Sequence, residues 1–159
     1  MKKILKRILI LTTVFGSLSL GLTNCSSDDN NDGIPGLNLK KMKLTVTVNG
    51  VQENDIVTFN ATTTSVYNDQ PVLWKVNGAD KPNEPIVNLD QQNFLGSTKT
   101  YVIESAVDLP AANVMLYIAP YTDHLLTYSY KAEVNGNVVK DEQNIPITNP
   151  NTFSVTYTY

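Results

Sequence analysis

Alternation of apolar and polar residues with a period of two dominates the chain from Met42 to its last residue. The stretch LTYSYKAEVNG, residues 126–136, shows it most cleanly, because polar residues separate five apolar ones and an Asn-Gly pair ends the run. Successive side chains of a β-strand point to opposite faces of a sheet, so the pattern predicts a half-buried strand rather than a helix. The residues expected to share its buried face are Leu126, Tyr128, Tyr130, Ala132 and Val134.

The same pattern recurs between turn residues and predicts eight or nine short strands. Asn49-Gly50 is a hairpin signal, and Asn-Gly also ends the strands before positions 79 and 137. We expect NVVK after Gly136 to be a short return strand and DEQNIPITNPN, residues 141–151, to be a polar connection. The other predicted strands are MKLTVTVNG from Met42, DIVTFNATTT from Asp55, PVLWKVNG from Pro71, PIVNL from Pro85, KTYVIESAV from Lys99, NVMLYIA from Asn113 and TFSVTYTY from Thr152.

No segment between these strands is long and helically periodic, which disfavours parallel βαβ units. The predicted fold class is therefore all-β, an antiparallel two-sheet sandwich. Trp74 lies in the third predicted strand, and in this respect the domain resembles immunoglobulin-like sandwiches, without the paired cysteines of antibody domains. Alternation alone does not separate stacked sheets from a closed sheet, so a lipocalin-like barrel stays open as an alternative.

The first 25 residues, MKKILKRILILTTVFGSLSLGLTNC, have the layout of an export signal: a basic start, an apolar stretch of about 15 residues and then the chain's one cysteine. That stretch is shorter than the roughly 20 residues of a permanent membrane span. The segment resembles the bacterial lipobox, in which the cysteine is acylated and becomes the mature N-terminus. Leu22, Thr23 and Cys25 fit, and Asn24 departs from the small residue usual before the cysteine. The resemblance implies a covalent lipid on Cys25, no other cofactor, and a membrane as partner through that lipid.

The polar run SSDDNNDG after Cys25 contains no residue that could enter a core, so we expect a flexible acidic tether. It resembles the acidic tract of Bacteroidota-type lipoproteins, which implies the outer membrane and the cell surface, with the periplasmic face as the alternative. Asp28, Asn30 and Asp32 also match the opening of a calcium loop, but the loop's twelfth position is Leu39 instead of glutamate. The predicted organisation is a signal peptide at 1–24, the acylated tether at 25–41 and the sandwich at 42–159.

Charge excludes nucleic acid as a partner class. Beyond residue 24 the chain has eight basic and 15 acidic residues, a net charge of about −7. Binding to phosphate backbones needs clustered Lys and Arg, and the chain clusters only Lys40, Lys41 and Lys43, at the start of the domain.

Residues that could carry catalysis are few. The one histidine, His124, follows Asp123, and neither a second histidine nor a spare cysteine is present to build a zinc site of usual composition. No GxSxG nucleophile turn occurs. Glu104 lies mid-strand, but alternation places it on the solvent face. The sequence therefore predicts a protein that is not an enzyme and holds no metal.

Loops on a rigid sandwich are the usual place for recognition, and three connections are candidates for it: TTSVYNDQ at 63–70, PYTDH at 120–124 and the polar connection 141–151. The leading hypothesis is a non-catalytic envelope lipoprotein whose domain binds an envelope protein or has a structural role. The alternative is a carbohydrate-binding accessory lipoprotein of a glycan-uptake system, and the third is an unrecognised hydrolase. The candidate residues are Tyr67, Asn68, Asp69, Tyr121, Asp123 and His124.

Overall fold

Ten β-strands and one short helix make up the regular structure of the described residues. A computed structural model of the protein describes residues 36–64, 66 and 70–159. The elements are β1 (Met42–Asn49), β2 (Ile56–Thr63), β3 (Val72–Val76), β4 (Ala79–Pro82), β5 (Ile86–Asp90), α1 (Gln91–Phe94), β6 (Lys99–Ser105), β7 (Ala112–Ala119), β8 (Leu125–Val134), β9 (Asn137–Thr148) and β10 (Phe153–Thr158).

The strands form two antiparallel sheets. The larger has the order β4-β3-β6-β1-β8-β9 and the smaller the order β10-β7-β2-β5. The prediction of an all-β, antiparallel two-sheet sandwich is confirmed, with ten strands in place of eight or nine. The two sheets are separate and each has two edge strands, so the sheet does not close into a barrel.

One apolar core lies between the sheets and takes alternate residues from each. Phe59 of the smaller sheet and Tyr130 of the larger both have at most 1% of their surface exposed, and their ring centroids are 6.4 Å apart. Trp74 is fully buried, and its indole N–H donates to the carbonyl oxygen of Pro85 at 3.2 Å. A buried indole N–H needs such an acceptor, so this bond fixes the orientation of the ring. The buried apolar surface of the ring stabilises the core.

Two of the three Asn-Gly pairs form hairpin turns. Asn77-Gly78 joins β3 to β4 and Asn135-Gly136 joins β8 to β9, with positive φ at all four residues. That backbone is the one a two-residue primed turn requires. The expectation of a hairpin at Asn49-Gly50 is wrong, because β1 lies in the larger sheet and β2 in the smaller.

Strand β9 corrects the largest error of the sequence prediction. NVVK is not a separate short strand. It begins β9, a strand of 12 residues that includes most of the predicted connection 141–151. Asn144, with a φ of 51°, interrupts the regular backbone, and its N–H bonds the Ser129 hydroxyl at 2.9 Å. Pro146 is tolerated because β9 is an edge strand, where a missing N–H leaves no neighbour unpaired.

Within the described residues, no helix has both the length and the apolar character that crossing a bilayer requires.

Candidate functional site

The predicted site residues that the structure describes lie in one connection, between β7 and β8. Tyr121 is 66% exposed and Asp123 is exposed, whereas His124 turns inward. The other predicted residues fall outside the described part of the chain, so those predictions stay as they were: Cys25, Asp28, Asn30, Asp32, Tyr67, Asn68 and Asp69.

His124 contacts a buried carboxylate that sequence reasoning missed. The Asp55 side chain is 1% exposed, and its Oδ2 lies 3.0 Å from His124 Nε2. The backbone N–H of Gln52 donates to the same oxygen at 2.7 Å, and that of Tyr121 donates to Oδ1 at 2.9 Å. Asp55 therefore joins the β1–β2 loop to the β7–β8 loop at the end of the sandwich where both loops cross between the sheets.

The second ring nitrogen of His124 is also occupied. Nδ1 lies 3.0 Å from the Thr122 carbonyl oxygen and 3.1 Å from the Thr122 hydroxyl. A general base needs a nitrogen free to accept a proton from substrate or nucleophile. In this structure Asp55 hydrogen-bonds Nε2 across two loops, and Thr122 hydrogen-bonds Nδ1 within the β7–β8 loop.

A surface depression of about 310 Å³ lies beside this contact, lined by Gln52, Glu53, Asn54, Asp55, Tyr121 and Thr122. Donors already occupy both Asp55 oxygens, which leaves that carboxylate poorly suited to bind a cation. In the described part of the chain, no group of three or more His, Cys, Asp or Glu side chains is placed to hold a metal ion.

A second polar cluster bridges the two sheets on the side where β9 faces β10. Glu142 of β9 accepts hydrogen bonds from the hydroxyls of Tyr128 at 3.0 Å and Tyr157 at 3.1 Å, and it pairs with Lys140 at 2.7 Å. The rings of Tyr157 and Tyr130 are parallel, with centroids 5.3 Å apart. The cluster thus ties the last strand of the smaller sheet to the larger one.

The environment of this cluster shifts the pKa values of its members. Burial raises the pKa of Tyr128, and the hydrogen bond to Glu142 raises it further. Burial also raises the pKa of Tyr130. Burial alone would raise the pKa of Glu142. The hydrogen bonds from Lys140, Tyr128 and Tyr157 outweigh burial, so the pKa of this carboxyl is lowered. The cluster is therefore set to hold one carboxylate ionised and its tyrosines neutral.

The outer face of the smaller sheet is nearly free of charge. Its four strands align in three lateral rows, and the only ionised side chain among these residues is that of Asp90, which caps α1. Tyr117 and Met115 give the face its one aromatic ring and its central apolar side chain. The rows are Ser154-Tyr117-Thr58-Asp90, Thr156-Met115-Asn60-Asn88 and Thr158-Asn113-Thr62-Ile86.

The outer face of the larger sheet is different, because one lateral row alternates acid and base across five strands. Ion pairs link Lys43 to Glu104 at 3.3 Å and Lys75 to Asp80 at 3.3 Å. Glu104 is partly exposed on this face, on the side that alternation predicted. The full row reads Glu133-Lys43-Glu104-Lys75-Asp80.

Comparison with known proteins supports the fold and adds little on function. No protein-family model and no curated protein matches the chain. A solved structure described as the calcium-bound form of a protein from Parabacteroides distasonis is similar, with 12% identity and a TM-score of 0.60, over 81% of this chain and 98% of that one. A DUF4425 family protein from Bacteroides ovatus is also similar, with 9% identity and a TM-score of 0.52, over 77% of this chain and 95% of that one. At these identities the likeness concerns the fold, which this chain shares with two proteins from Bacteroidota.

Proposed function

We propose that the protein is a non-catalytic, lipid-anchored envelope protein whose sandwich binds a partner through the outer face of its smaller sheet. The observation that carries the proposal is that the three rows on that face contain one charged side chain, Asp90, at the edge where α1 begins. Solvated faces of soluble proteins usually contain charged side chains, whereas the centres of protein interfaces are depleted of them and enriched in Tyr and Met.

The larger sheet of the same protein provides a comparison for this face. The net charge of the domain is negative, and the larger sheet bears an ordered row of five charged residues on its outer face. Charged residues are thus present and tolerated on strands of this protein. Their absence from this face, apart from Asp90 at its edge, favours a surface that is covered in use over a surface that merely faces solvent.

The anchor part of the proposal depends on the N-terminal sequence. A basic start, a short apolar stretch and Cys25 support acylation and attachment to the outer membrane, on the cell surface. Each buried methylene contributes about 0.8 kcal/mol, so two or more acyl chains are needed for stable attachment. The acidic tether would then hold the sandwich away from the lipid.

A role without catalysis is supported by the contacts of His124. Asp55 and Thr122 occupy its two ring nitrogens; the first bond joins two loops, and the second lies within the β7–β8 loop. A hydrolase remains the third candidate, and no arrangement of the described residues argues for it.

Glycan binding is the second candidate, and one observation favours it. The amides of Asn60, Asn88 and Asn113 and the ring of Tyr117 lie on the uncharged face. Neutral sugars are recognised by such donors and acceptors together with aromatic rings. A second exposed aromatic ring, which would strengthen this candidate, is not among the residues of the three rows.

Calcium binding is a property stated for the Parabacteroides distasonis protein, and we do not extend it to this chain. The described carboxylate closest to such a role, Asp55, accepts three protein donors. The partial calcium loop at Asp28, Asn30 and Asp32 lies outside the described residues.

Site-specific photo-crosslinking in intact cells tests the proposal. A photoreactive residue at Asn60, central on the smaller sheet, is compared with one at Thr45, central on the larger sheet. We expect a discrete crosslinked product from position 60 and none from position 45. Equal products at both positions, or none at either, would contradict a dedicated face.

Binding of the purified protein to neutral glycans on an array, abolished by Asn60→Lys and unchanged by Thr45→Lys, would favour the second candidate.

A further inference from the structure

Among the strands that the structure describes, the outer edge of β10 differs from the other three sheet edges. β4 is four residues long and contains Asp80, Lys81 and Pro82, and β5 is five residues long and runs directly into α1. β9 contains Pro146, charged residues and two irregularities in its pairing with β8. Short length, charge, proline and bulges are the features by which natural edge strands avoid pairing with other chains.

β10 lacks charge, proline and bulges. Its six residues, FSVTYT, include no charge, proline or glycine, and its register against β7 is unbroken. Alternating β-branched and aromatic residues also give it strong strand propensity. The strand is therefore competent to pair on its free side.

Hydrogen bonding identifies which backbone groups of β10 face outward. Tyr159 and Ala112 exchange both N–H···O bonds, at 3.0 and 3.2 Å, so this residue pair is of the hydrogen-bonded kind. Such pairs alternate along an antiparallel ladder, so the backbone groups of Phe153, Val155 and Tyr157 also point toward β7. The N–H and C=O groups of Ser154, Thr156 and Thr158 point away from the sheet.

Those three residues are self-complementary about a twofold axis. If a second β10 runs antiparallel with Thr156 opposite Thr156, Ser154 lies opposite Thr158 on both sides of the axis. All three are hydrogen-bonded positions, so the pairing forms six N–H···O bonds. The twofold axis places only Thr156 opposite its own copy, and because β10 contains no charged residue, no like charges meet anywhere along the pairing.

The core side of β10 provides room for an added strand. The larger sheet has six strands and the smaller four, so the smaller sheet covers less of the core side. On the β5 side, α1 inserts the fully buried Phe94 against Tyr101. On the β10 side, the inward side chains are only partly buried, and Ile145 of β9 is 36% exposed. In the twofold pairing, Tyr159 of the second copy stands beside Phe153 and covers this region.

We infer that two copies of the chain associate through β10, in antiparallel register centred on Thr156, to form a continuous eight-stranded sheet across both smaller sheets. The inference goes beyond the proposed function, because it concerns a second copy of the chain and holds whatever the outer face binds. Pairing also doubles the uncharged face, since the rows of the two copies lie on the same side of the joined sheet.

The test measures protein mass for the anchored full chain purified in detergent, by light scattering that separates protein from detergent. We expect a dimer for the wild type and for Thr156→Val, which keeps the backbone and the shape. Thr156→Lys places two ammonium groups opposite each other at the axis, and we expect it to raise the dimer dissociation constant about tenfold or more. Thr156→Pro removes only an outward N–H, so it should give a folded monomer.

A crosslinking arm keeps the inference falsifiable if the proline variant fails to fold. Thr156→Cys should give a covalent dimer with a short bis-maleimide reagent, whereas Thr45→Cys, on the other sheet, should not. Cys25 is present in both variants, so a crosslink through it would appear equally in the control. A monomeric wild type at micromolar concentration, a dimer insensitive to Thr156→Lys, or equal crosslinking of the two cysteine variants would each overturn the inference.

Discussion

The two outer faces of the sandwich have the same architecture and opposite chemistry. On the larger sheet, Lys43, Glu104 and Lys75 belong to a row in which each charge faces its opposite across the strand pair. On the smaller sheet, Asn60 and Met115 occupy equivalent central positions in a row without charge. Since both sheets cover the same core, stability does not require this difference. The comparison teaches that the two faces differ for a reason other than the fold, and the proposed partner-binding role of the smaller sheet supplies one.

The largest expected effect separates the inner face of the smaller sheet, which supports the fold, from its outer face. Phe59→Ala removes a fully buried ring and leaves a cavity, so the free energy of unfolding should fall by about 3–5 kcal/mol. The neighbouring outward change Asn60→Ala should alter it by about 0.5 kcal/mol or less. Urea unfolding followed by circular dichroism measures both. A loss at Asn60 as large as that at Phe59 would show that the outer face also supports the fold.

Glu142 tests whether the link between the sheets depends on ionisation. Glu142→Gln should lower the free energy of unfolding by about 1–2 kcal/mol near neutral pH, because the carboxylate accepts two tyrosine hydroxyls and pairs with Lys140. The folded state lowers the pKa of Glu142 below its ordinary 4.5. Its contribution is therefore present above pH 4.5 and is lost as the pH falls through the folded-state pKa. The difference between wild type and variant should shrink in acid, and a difference independent of pH would contradict the assignment.

Charge reversal in the larger sheet tests the alternating row. Glu104→Lys places three basic side chains in succession, and we expect a loss of about 1 kcal/mol that decreases as salt is added. Glu104→Gln is the matched control and should show a smaller loss with weaker salt dependence. Equal losses for the two variants at low salt would mean that the row does not act through charge.

The smallest expected effect concerns stability of the uncharged face itself. Asn60→Lys adds one charge among neutral neighbours, so the free energy of unfolding should change by about 0.5 kcal/mol or less. Loss of partner binding with unchanged thermal unfolding would separate recognition from folding on this face. A large destabilisation would instead assign the uncharged rows a structural role.

The sequence predicted the inner faces well, because alternation encodes them directly. Leu44, Val46 and Val48 are fully buried on β1, and Trp74 is fully buried on β3. β9 was missed because proline and charge in a polar stretch are typical of a connection, while an edge strand tolerates both. Asn49-Gly50 failed as a hairpin because a turn signal does not state which sheet the next strand joins. Val51 is 4% exposed, so the chain enters the core directly after this pair.

The candidate site was harder to predict, since its contacts join distant segments. Asp55 and His124 are 69 positions apart, and nothing local to QENDI indicates a buried carboxylate. The lateral rows can be identified only when the strand order and the register are known. A single strand such as IVTFNATT indicates one polar face, but it does not show that three further strands share that face with Asp90 as their one charged side chain there.

The intrinsic fluorescence of Trp74 reports on the contact between the two sheets. Trp74 is the chain's one tryptophan, it lies in the larger sheet, and its indole bonds a carbonyl just before the first residue of β5 in the smaller sheet. Its emission should be blue-shifted and resistant to quenching by iodide in the native protein. Any event that separates the two sheets on that flank would shift the emission to longer wavelength, so the spacing of the layers can be followed without a label.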